Sequence, residues 1–393
     1  MTTSSFDAAR RRLLAAGALA PWCSLAFAGQ AAGGSNRFVM VILRGGMDGL
    51  SAVPAIGDPG LVPARGALAQ FASLPLALDS TFALHPQLVQ LHAMVGRGEA
   101  LVVHAVGLPY RERSHFDAQQ VLESGGVRPY ELATGWLGRA LAANGAKGMA
   151  LSTAVPLVLR GPADVDTWAP SVLPEPSADL VARLEHMYGN DAALSRALAR
   201  AKALHLDAPM MSAMDDGNAA GGRGAGVVAL ARRAAEFLAQ ASGPQAAVLE
   251  MGGWDTHANQ AAPNGALATN LRNLDAGLAT LRDGLVAGGA WKRTVVVVAT
   301  EFGREVAING TQGTDHGSGG AAFVLGGAVR GGRVVTDWPG LAKRDRYEGR
   351  DLRTTTDLRS VLKGVLGEHL HVASRALERD VFPGSEGVRA IDL

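Results

Sequence analysis

Short apolar runs alternate with longer helical stretches along most of this chain. The runs Arg37–Leu43, Ala246–Met251 and Thr294–Ala299 are apolar and flanked by glycine or polar residues, as expected of buried strands. Between the last two, Ala266–Val286 carries leucines at spacings of three and four, which predicts an amphipathic helix. Strands that alternate with helices predict an α/β fold with a mostly parallel central sheet and helices on both faces.

The same patterns predict the remaining elements. The further strands are Leu101–Val106, Ala322–Leu325 and Arg333–Val335, and the further helices are Pro86–Gly98, Ser114–Glu123, Glu175–Leu206, Gly226–Ala241 and Thr355–Leu366. A stretch rich in Gly, Asn and Asp, 215–224, is predicted to be flexible. Because no repeat or domain boundary interrupts the pattern, we expect residues 29–393 to form a single domain.

The first 28 residues have the layout of a signal peptide, with Arg10, Arg11 and Arg12 before an apolar run that ends at Ala28. That run is about 16 residues long, short of the roughly 20 needed to span a bilayer. An arginine pair before a mildly hydrophobic run resembles the twin-arginine signal, whose route exports folded proteins. We therefore expect residues 1–28 to be cleaved after Ala28. Ordinary Sec export and an uncleaved anchor are the alternatives.

This reading has consequences for location and chemistry. The mature chain is expected to be periplasmic or secreted, to use the twin-arginine export machinery and to have no stable membrane span. The only cysteine, Cys23, lies in the signal, so any metal must be held by oxygen and imidazole ligands. With 37 Lys and Arg against 36 Asp and Glu, the chain has no basic field, and this disfavours nucleic-acid binding.

Acidic and histidine residues follow several of the predicted strands. In α/β sheets the usable crevice lies beyond the carboxyl ends of the strands. The residues at these positions are candidate metal ligands: Asp48, Asp255, His257, Glu301, Asp315 and His316. Carboxylates about 4 Å apart repel by about 4 kcal/mol at an effective dielectric near 20, so a cation must accompany them. A divalent metal ion, or the nearby Arg44, Arg111, Arg113 and Arg304, meets this need.

Asp255 and His257 are two residues apart, so an extended loop points both side chains the same way. With His316 they form a three-ligand set that suits zinc or manganese and leaves one position open; calcium is a further candidate.

Each of these residues also has a purely structural interpretation. Asp48 can form a turn beside its glycines, Asp255 and His257 can form a loop pair, Glu301 can pair with Arg304, and 315–316 can be solvated.

Ser114 allows two interpretations at the start of its predicted helix. With Asp117 it fits a capping box, which is a structural role. The same position places a hydroxyl at the positive end of a helix, which favours a nucleophile or an anion. Arg111 and Arg113, just before it, can bind a phosphate or sulfate oxygen.

At these motifs the chain resembles the domain of unknown function 1501 family, grouped with the alkaline phosphatase and sulfatase superfamily. The matching segments are RRRLLAAG, LRGGMDGLSAVP, LHPQL, RSHFDAQ, GWLGRAL, GGWDTH, ATEFGR and DHGSGGAAFVLGGAVRGG. The resemblance implies an alkaline phosphatase/sulfatase-like sheet with a metal site at the strand ends. By that pattern Asp48 is the first acidic ligand, Asp255 and His257 are a ligand pair, Glu301 is the later acidic ligand and His316 is the last histidine. Ser114 stands where the nucleophile sits.

These observations predict an exported metal-dependent hydrolase that acts on a small phosphate or sulfate ester. Ser114 attacks the ester, Asp255, His257 and His316 hold a metal ion, and Asp48 and Glu301 hold a second ion or orient the first. Phe302 stands where active phosphatases of the superfamily have histidine or asparagine. The alternative is therefore a degenerate, non-catalytic periplasmic binding or partner protein. A Rossmann nucleotide binder is disfavoured, because no G-x-G-x-x-G follows the first strand.

Overall fold

A nine-stranded sheet forms the centre of the protein. The computed structural model describes residues 35–170, 176–206, 223–261 and 265–392. The strands of the sheet are β1 (Arg37–Arg44), β4 (Ala100–Gly107), β5 (Lys147–Ala150), β6 (Asp164–Thr167), β7 (Ala246–Gly252), β8 (Thr294–Thr300), β9 (Gly320–Leu325), β10 (Val334–Val335) and β11 (Thr356–Asp357). A separate hairpin is formed by β2 (Leu76–Ala77) and β3 (Ala83–Leu84).

The sheet is mostly parallel, as predicted. Its order is β10-β4-β9-β8-β1-β7-β5-β6, and β11 pairs with β4. Only β9 runs antiparallel to its two neighbours, β4 and β8. The order places β1 at the centre, and its neighbours β7 and β8 both run parallel to it.

Helices cover both faces of the sheet, which confirms the predicted arrangement. They are α1 (Gly49–Ala52), α2 (Leu61–Arg65), α3 (Val89–Gly96), α4 (His115–Ser124), α5 (Trp136–Ala143), α6 (Ala178–Tyr188), α7 (Ala192–Leu206), α8 (Arg223–Ala239), α9 (Ala266–Ala287), α10 (Leu358–Gly364) and α11 (Ser374–Ala376). Alternate residues of β1 serve the two faces: Val39 belongs to the core under α8 and α9, and Met40 to the core under α5 and α10.

Several predicted boundaries differ from the observed ones. The predicted helix Glu175–Leu206 is two helices, because the chain breaks at Gly189 and the Asp191 carboxylate then accepts hydrogen bonds from the first amides of α7. The predicted helix Thr355–Leu366 begins instead with the short strand β11, and α10 follows it. The sequence analysis also missed several elements, among them α5, β5 and β6. The two strands carry no apolar run, since β5 reads KGMA and β6 reads DVDT at the edge of the sheet.

Two predictions concern parts of the chain that are not described. The predicted signal peptide, residues 1–28, lies outside the described residues, as do residues 215–222 of the predicted flexible stretch. Where the structure is described, no helix combines the length and the apolar character needed to cross a membrane.

The parallel pairing brings three strand ends together. Arg44 at the end of β1 is in register with Gly252 of β7, and Leu43 with Thr300 of β8. The loops that follow therefore leave the sheet side by side. At Gly45, where φ is +121°, a Cβ atom would lie 2.6 Å from the Asp255 amide nitrogen, so only glycine lets the two loops approach this closely.

A network around Glu99 joins the start of β4 to α9. Arg282 donates two hydrogen bonds to the Glu99 carboxylate, at 2.8 and 3.0 Å, and Arg97 donates another at 2.8 Å. The indole of Trp291 donates a fourth, at 3.2 Å. The hydrogen bonds from Arg282, together with those from Arg97 and Trp291, lower the pKa of Glu99 to about 2.

This shift makes the contribution of Glu99 to stability depend on pH. Because the folded-state pKa lies below the ordinary value of about 4.3, ionised Glu99 stabilises the fold above that value, and the contribution is lost as pH falls toward 2. We expect Glu99→Gln to have a lower free energy of unfolding than wild type at pH 7. The difference between the two should shrink progressively below about pH 5. Urea denaturation at a series of pH values measures this, with the exposed Glu386 as the Glu→Gln control. A pH-independent difference would refute the assignment.

Candidate metal centre

Four side chains converge beyond the carboxyl end of the sheet: His115, Asp255, His257 and His316. The Nε2 atom of His316 lies 3.1 Å from Nε2 of His115 and 3.0 Å from Nε2 of His257. The Asp255 Oδ1 atom lies 2.9 Å from His257 Nε2 and 3.2 Å from His316 Nε2. Asp255 Oδ2 lies 3.4 Å from His115 Nε2. Three imidazole nitrogens and one carboxylate thus share one small volume.

Three different segments supply these residues. His115 is the first residue of α4, which follows β4. Asp255 and His257 lie on the loop after β7, and their side chains meet as the i, i+2 spacing predicted. His316 precedes β9 and is held by the bridge between its backbone and that of Arg304. The antiparallel entry of β9 explains how a residue before a strand reaches the carboxyl ends of the others.

The outward nitrogen of each ring has its own acceptor. His115 Nδ1 lies 2.8 Å from Glu301 Oε1, and His257 Nδ1 lies 3.1 Å from Asp315 Oδ1. His316 Nδ1 lies 2.9 Å from the backbone oxygen of Arg113. Ionised carboxylates and carbonyls only accept hydrogen bonds, so each Nδ1 carries the hydrogen and each neutral ring turns its Nε2 lone pair to the centre. Metal-binding histidines are held in this way.

Glu301 and Asp315 therefore lie behind the histidines rather than among the inward-facing donors, although the sequence analysis proposed both as ligands. Glu301 is buried and also accepts hydrogen bonds from Gly45 N at 2.8 Å and Gln119 Nε2 at 3.1 Å. Burial alone would raise the pKa of Glu301, but the hydrogen bonds, led by that from His115, outweigh it and lower the pKa. In the metal-free protein, the hydrogen bond to Glu301 raises the pKa of His115.

Arg304 is the cation that accompanies Asp255. Its buried guanidinium donates from Nη1 to Asp255 Oδ1 at 2.6 Å and from Nε to Thr314 Oγ1 at 3.1 Å. The sequence analysis left open a pair between Arg304 and Glu301; the structure pairs Arg304 with Asp255 instead. Burial works to raise the pKa of Asp255, and Arg304 outweighs it, so the pKa is lowered.

Phe302 closes one side of the centre. Its ring centroid lies 4.7 Å from that of His115 and 5.0 Å from that of His316. The ring is buried, and a Cβ atom on Gly46 would lie 2.6 Å from it. Phe302 thus packs against two of the candidate ligands and offers no ligand atom of its own.

Asp48 lies outside this group. It is buried with Arg65, and its carboxylate accepts hydrogen bonds from the Arg65 guanidinium, the Gln260 amide and the Ser51 hydroxyl, the last at 2.8 Å. It also caps α1 through the amide of Leu50 at 3.1 Å. Burial works to raise the pKa of Asp48, but the Arg65 charge and these hydrogen bonds lower it. Its oxygens are occupied by protein donors, as in the turn interpretation rather than the ligand interpretation.

Ser114 and Arg113 directly precede His115 in the chain. Ser114 is the N-cap residue of α4, but its side chain makes no capping hydrogen bond, and Asp117 accepts one from Tyr110 instead. The predicted capping box is therefore wrong. The Arg113 guanidinium binds Asp351 at 2.8 Å and Glu348 at 2.6 Å, so its contact with the centre is made by its backbone oxygen.

His115 is the residue that the sequence analysis missed. In the segment SHFD the serine and the aspartate match a capping box, and that pattern assigns no role to the histidine between them. Its position gave a usable signal, because a histidine at the start of the helix that follows a buried strand lies at the carboxyl edge of the sheet, as the other candidates do. Gln119, one helical turn later, could not be found without knowing that it faces Glu301.

The donor set fits a divalent metal ion. Donor atoms around tetrahedral zinc, with Zn–N distances of about 2.0–2.1 Å, lie roughly 3.3 Å apart. Five of the six pairs among the four side chains lie 2.9 to 3.4 Å apart, close to this separation. Within this set, His115, Asp255 and His316 form a group whose ligand atoms all lie within 4.8 Å of one another. Imidazole nitrogens with one carboxylate oxygen are ligands that suit zinc and manganese.

A family model described as "Protein of unknown function (DUF1501)" matches residues 76–380. The chain belongs to this DUF1501 family. The matched residues include all four members of the centre and Glu301, whereas Asp48 lies before them. No curated protein matches the sequence.

Solved structures similar to this DUF1501 protein include a sulfatase from Pseudoalteromonas sp., 11% identical, with a TM-score of 0.44 over 91% of this chain and 71% of that chain. Another is a protein in the alkaline phosphatase superfamily from Vibrio parahaemolyticus, 11% identical, with a TM-score of 0.39 over 77% of this chain and 63% of that chain. Because the TM-scores are below 0.5, we infer the role of the centre from its own geometry.

The buried pair of Asp48 and Arg65 leads to a stability prediction. Arg65→Met leaves the Asp48 carboxylate buried without its cation, and breaking such a pair costs about 3–5 kcal/mol. We expect urea denaturation to show a loss of this size, and the double variant Asp48→Asn, Arg65→Met to recover part of it. Equal stability of Arg65→Met and wild type would contradict the described pairing.

Proposed function

We propose that this DUF1501 protein binds one divalent metal ion through His115, Asp255, His257 and His316 and hydrolyses phosphate or sulfate esters. One observation carries the proposal. Three Nε2 atoms and a carboxylate converge while each Nδ1 is held by an acceptor that cannot donate. A hydrogen-bonded loop pair of Asp255 and His257 alone does not account for the acceptors behind the other two rings.

Charge supports a single ion. Asp255, Glu301 and Asp315 bring three negative charges to the centre, and Arg304 brings one positive charge, so two negative charges remain when the imidazoles are neutral. One divalent cation balances them. Asp48, proposed from the sequence for a second ion, is already paired with Arg65.

The residues around the centre suit an anionic ester. The Asp255 and His257 side chains are 42% and 44% exposed, so a small substrate can reach them from solvent. A bound divalent cation supplies Lewis-acid stabilisation of the charge on the ester oxygens. Ser114 provides a hydroxyl at the N-terminus of α4, next to His115, and the helix dipole favours its ionised form there. In this proposal Ser114 loses its proton to solvent, and its oxygen bonds to the phosphorus or sulfur while the bond to the alcohol oxygen breaks. The leaving oxygen takes up a proton from solvent and departs as the alcohol. Water then attacks the serine ester, which releases inorganic phosphate or sulfate and restores the Ser114 hydroxyl.

A second candidate is a non-catalytic binding or partner protein. It is favoured by the count of protein donors, because four of them complete a tetrahedron, as in structural zinc sites, and leave no position for substrate. Phe302 supports it as well, since it fills a place beside the centre with an apolar ring.

Metal analysis and hydrolysis assays on the purified protein test the proposal. We expect about one equivalent of zinc or manganese, and we expect His115→Ala to weaken the affinity by at least about 10-fold. Asp48→Asn should still bind about one equivalent of metal, because Asp48 lies outside the centre. His186→Ala, which removes an exposed histidine of α6, is the matched control.

Aryl phosphates and aryl sulfates are the substrates for the assay. Metal-dependent turnover that disappears in Ser114→Ala supports the hydrolase. Stoichiometric metal without turnover of either ester class supports the binding protein, and a protein that takes up no metal rejects both.

We further propose that residues 1–28 direct export of the folded chain by the twin-arginine route, because the arginines precede an apolar run that ends in Ala-Phe-Ala. Replacing Arg10, Arg11 and Arg12 by lysine should leave the precursor in the cytoplasm, as measured by cell fractionation. The exported wild-type protein should begin at Gly29 by mass spectrometry. Normal export of the lysine variant would instead assign the signal to the Sec route.

A further inference from the structure

His316 differs from the other two histidines in what holds it. Its Nδ1 faces a backbone oxygen, that of Arg113, at 2.9 Å, whereas His115 and His257 face side-chain carboxylates. Arg113 has a φ of +61°, in the left-handed region that residues other than glycine rarely adopt. Since this conformation is intrinsically unfavourable, other contacts must hold the carbonyl in place.

Asp351 makes those contacts. Its side chain is completely buried, and Oδ2 accepts hydrogen bonds from Arg113 Nε and from Ser318 Oγ, both at 2.8 Å. Ser318 lies two residues after His316. One carboxylate therefore binds the residue that supplies the carbonyl and also the segment that carries the imidazole.

The backbone around Asp351 is itself fixed. Gly319 N donates to Leu352 O at 3.0 Å, and Gly303 N donates to Ser318 O at 3.0 Å. These bonds join the segment of Asp351 to that of His316, and the segment of His316 to the loop after β8. Asp351 is thus a rigid point from which the Arg113 side chain can be held.

We infer that Asp351 is a positioning residue of the metal centre. By holding Arg113 in its left-handed conformation, it directs the Arg113 carbonyl at His316 Nδ1 and keeps the His316 Nε2 lone pair facing the ion. This inference rests on the proposed metal-binding function. Glu348 binds the same guanidinium, but its side chain is 56% exposed, and exposed pairs contribute little.

Titration with Co²⁺, followed by visible absorption, compares the two partners of Arg113. We expect Asp351→Asn to weaken Co²⁺ binding about 10-fold, as the loss of an outer contact to a ligand does. Glu348→Gln, the matched control on the same guanidinium, should stay within about twofold of wild type. The midpoint of unfolding, measured on each variant, separates an effect on affinity from a general loss of stability.

Variants of Arg113 test whether the left-handed backbone is the cause. Arg113→Gly removes the guanidinium but lets the backbone adopt the same φ freely, whereas Arg113→Ala removes it and keeps the strain. We expect Arg113→Gly to bind Co²⁺ several-fold more tightly than Arg113→Ala. Asp351→Asn should cost less affinity in the Arg113→Ala background than in wild type, because the contact between Asp351 and Arg113 is already absent there, whereas that with Ser318 remains to be weakened.

The tautomer of His316 in the metal-free protein gives a readout that does not depend on metal. Nitrogen-15 NMR should show the Nδ1–H form in wild type and in Glu348→Gln, and a mixture of forms in Asp351→Asn. If wild type binds no Co²⁺, the proposed function fails, and the tautomer alone decides the role of Asp351. If Asp351→Asn lowers the unfolding midpoint but keeps the wild-type tautomer, Asp351 is a structural partner only and the inference is overturned.

Discussion

The parallel pairing of β1 with both β7 and β8 determines where the candidate residues meet. It places the ends of three strands in one row, so the loops that carry Asp255 and Glu301 leave the sheet as neighbours. Helix α4 and the segment before β9 then bring one histidine each from outside this row. The centre is therefore a product of the sheet order, and residues far apart in sequence come within hydrogen-bonding distance.

Every buried acid around the centre has a specific partner, because an unpaired charge in the interior is costly. Arg65 pairs with Asp48, a set of neutral donors and His115 surrounds Glu301, and Asp351 holds Arg113. These pairings separate the acids that stabilise the fold from the donor atoms that face the centre. They also explain why the acidic residues alone could not reveal the ligands, since Glu301 and Asp315 lie behind the histidines and Asp48 lies outside the centre.

The alternation of strands and helices predicted the mostly parallel sheet. The position of Asp255, His257 and His316 next to strand ends predicted that these three residues meet. Neither pattern distinguishes a metal ligand from a carboxylate that holds a ligand in place. Glu301 and Asp315 carry the same kind of group as Asp255, and only the orientation of each ring shows which carboxylate faces Nδ1 and which faces Nε2. Asp48 was assigned by motif, but its partner Arg65 lies on a helix whose packing the sequence does not reveal.

Phe302 packs against the rings of His115 and His316, and those two side chains are only 23% and 25% exposed. Asp255 and His257, on the other side, are the more exposed pair. Approach to the centre is therefore one-sided. Under the proposed function, a substrate that enters from the open side leaves its distal portion in bulk water. Selectivity would then depend on the group that contacts the four donors, and very little on the rest of the substrate.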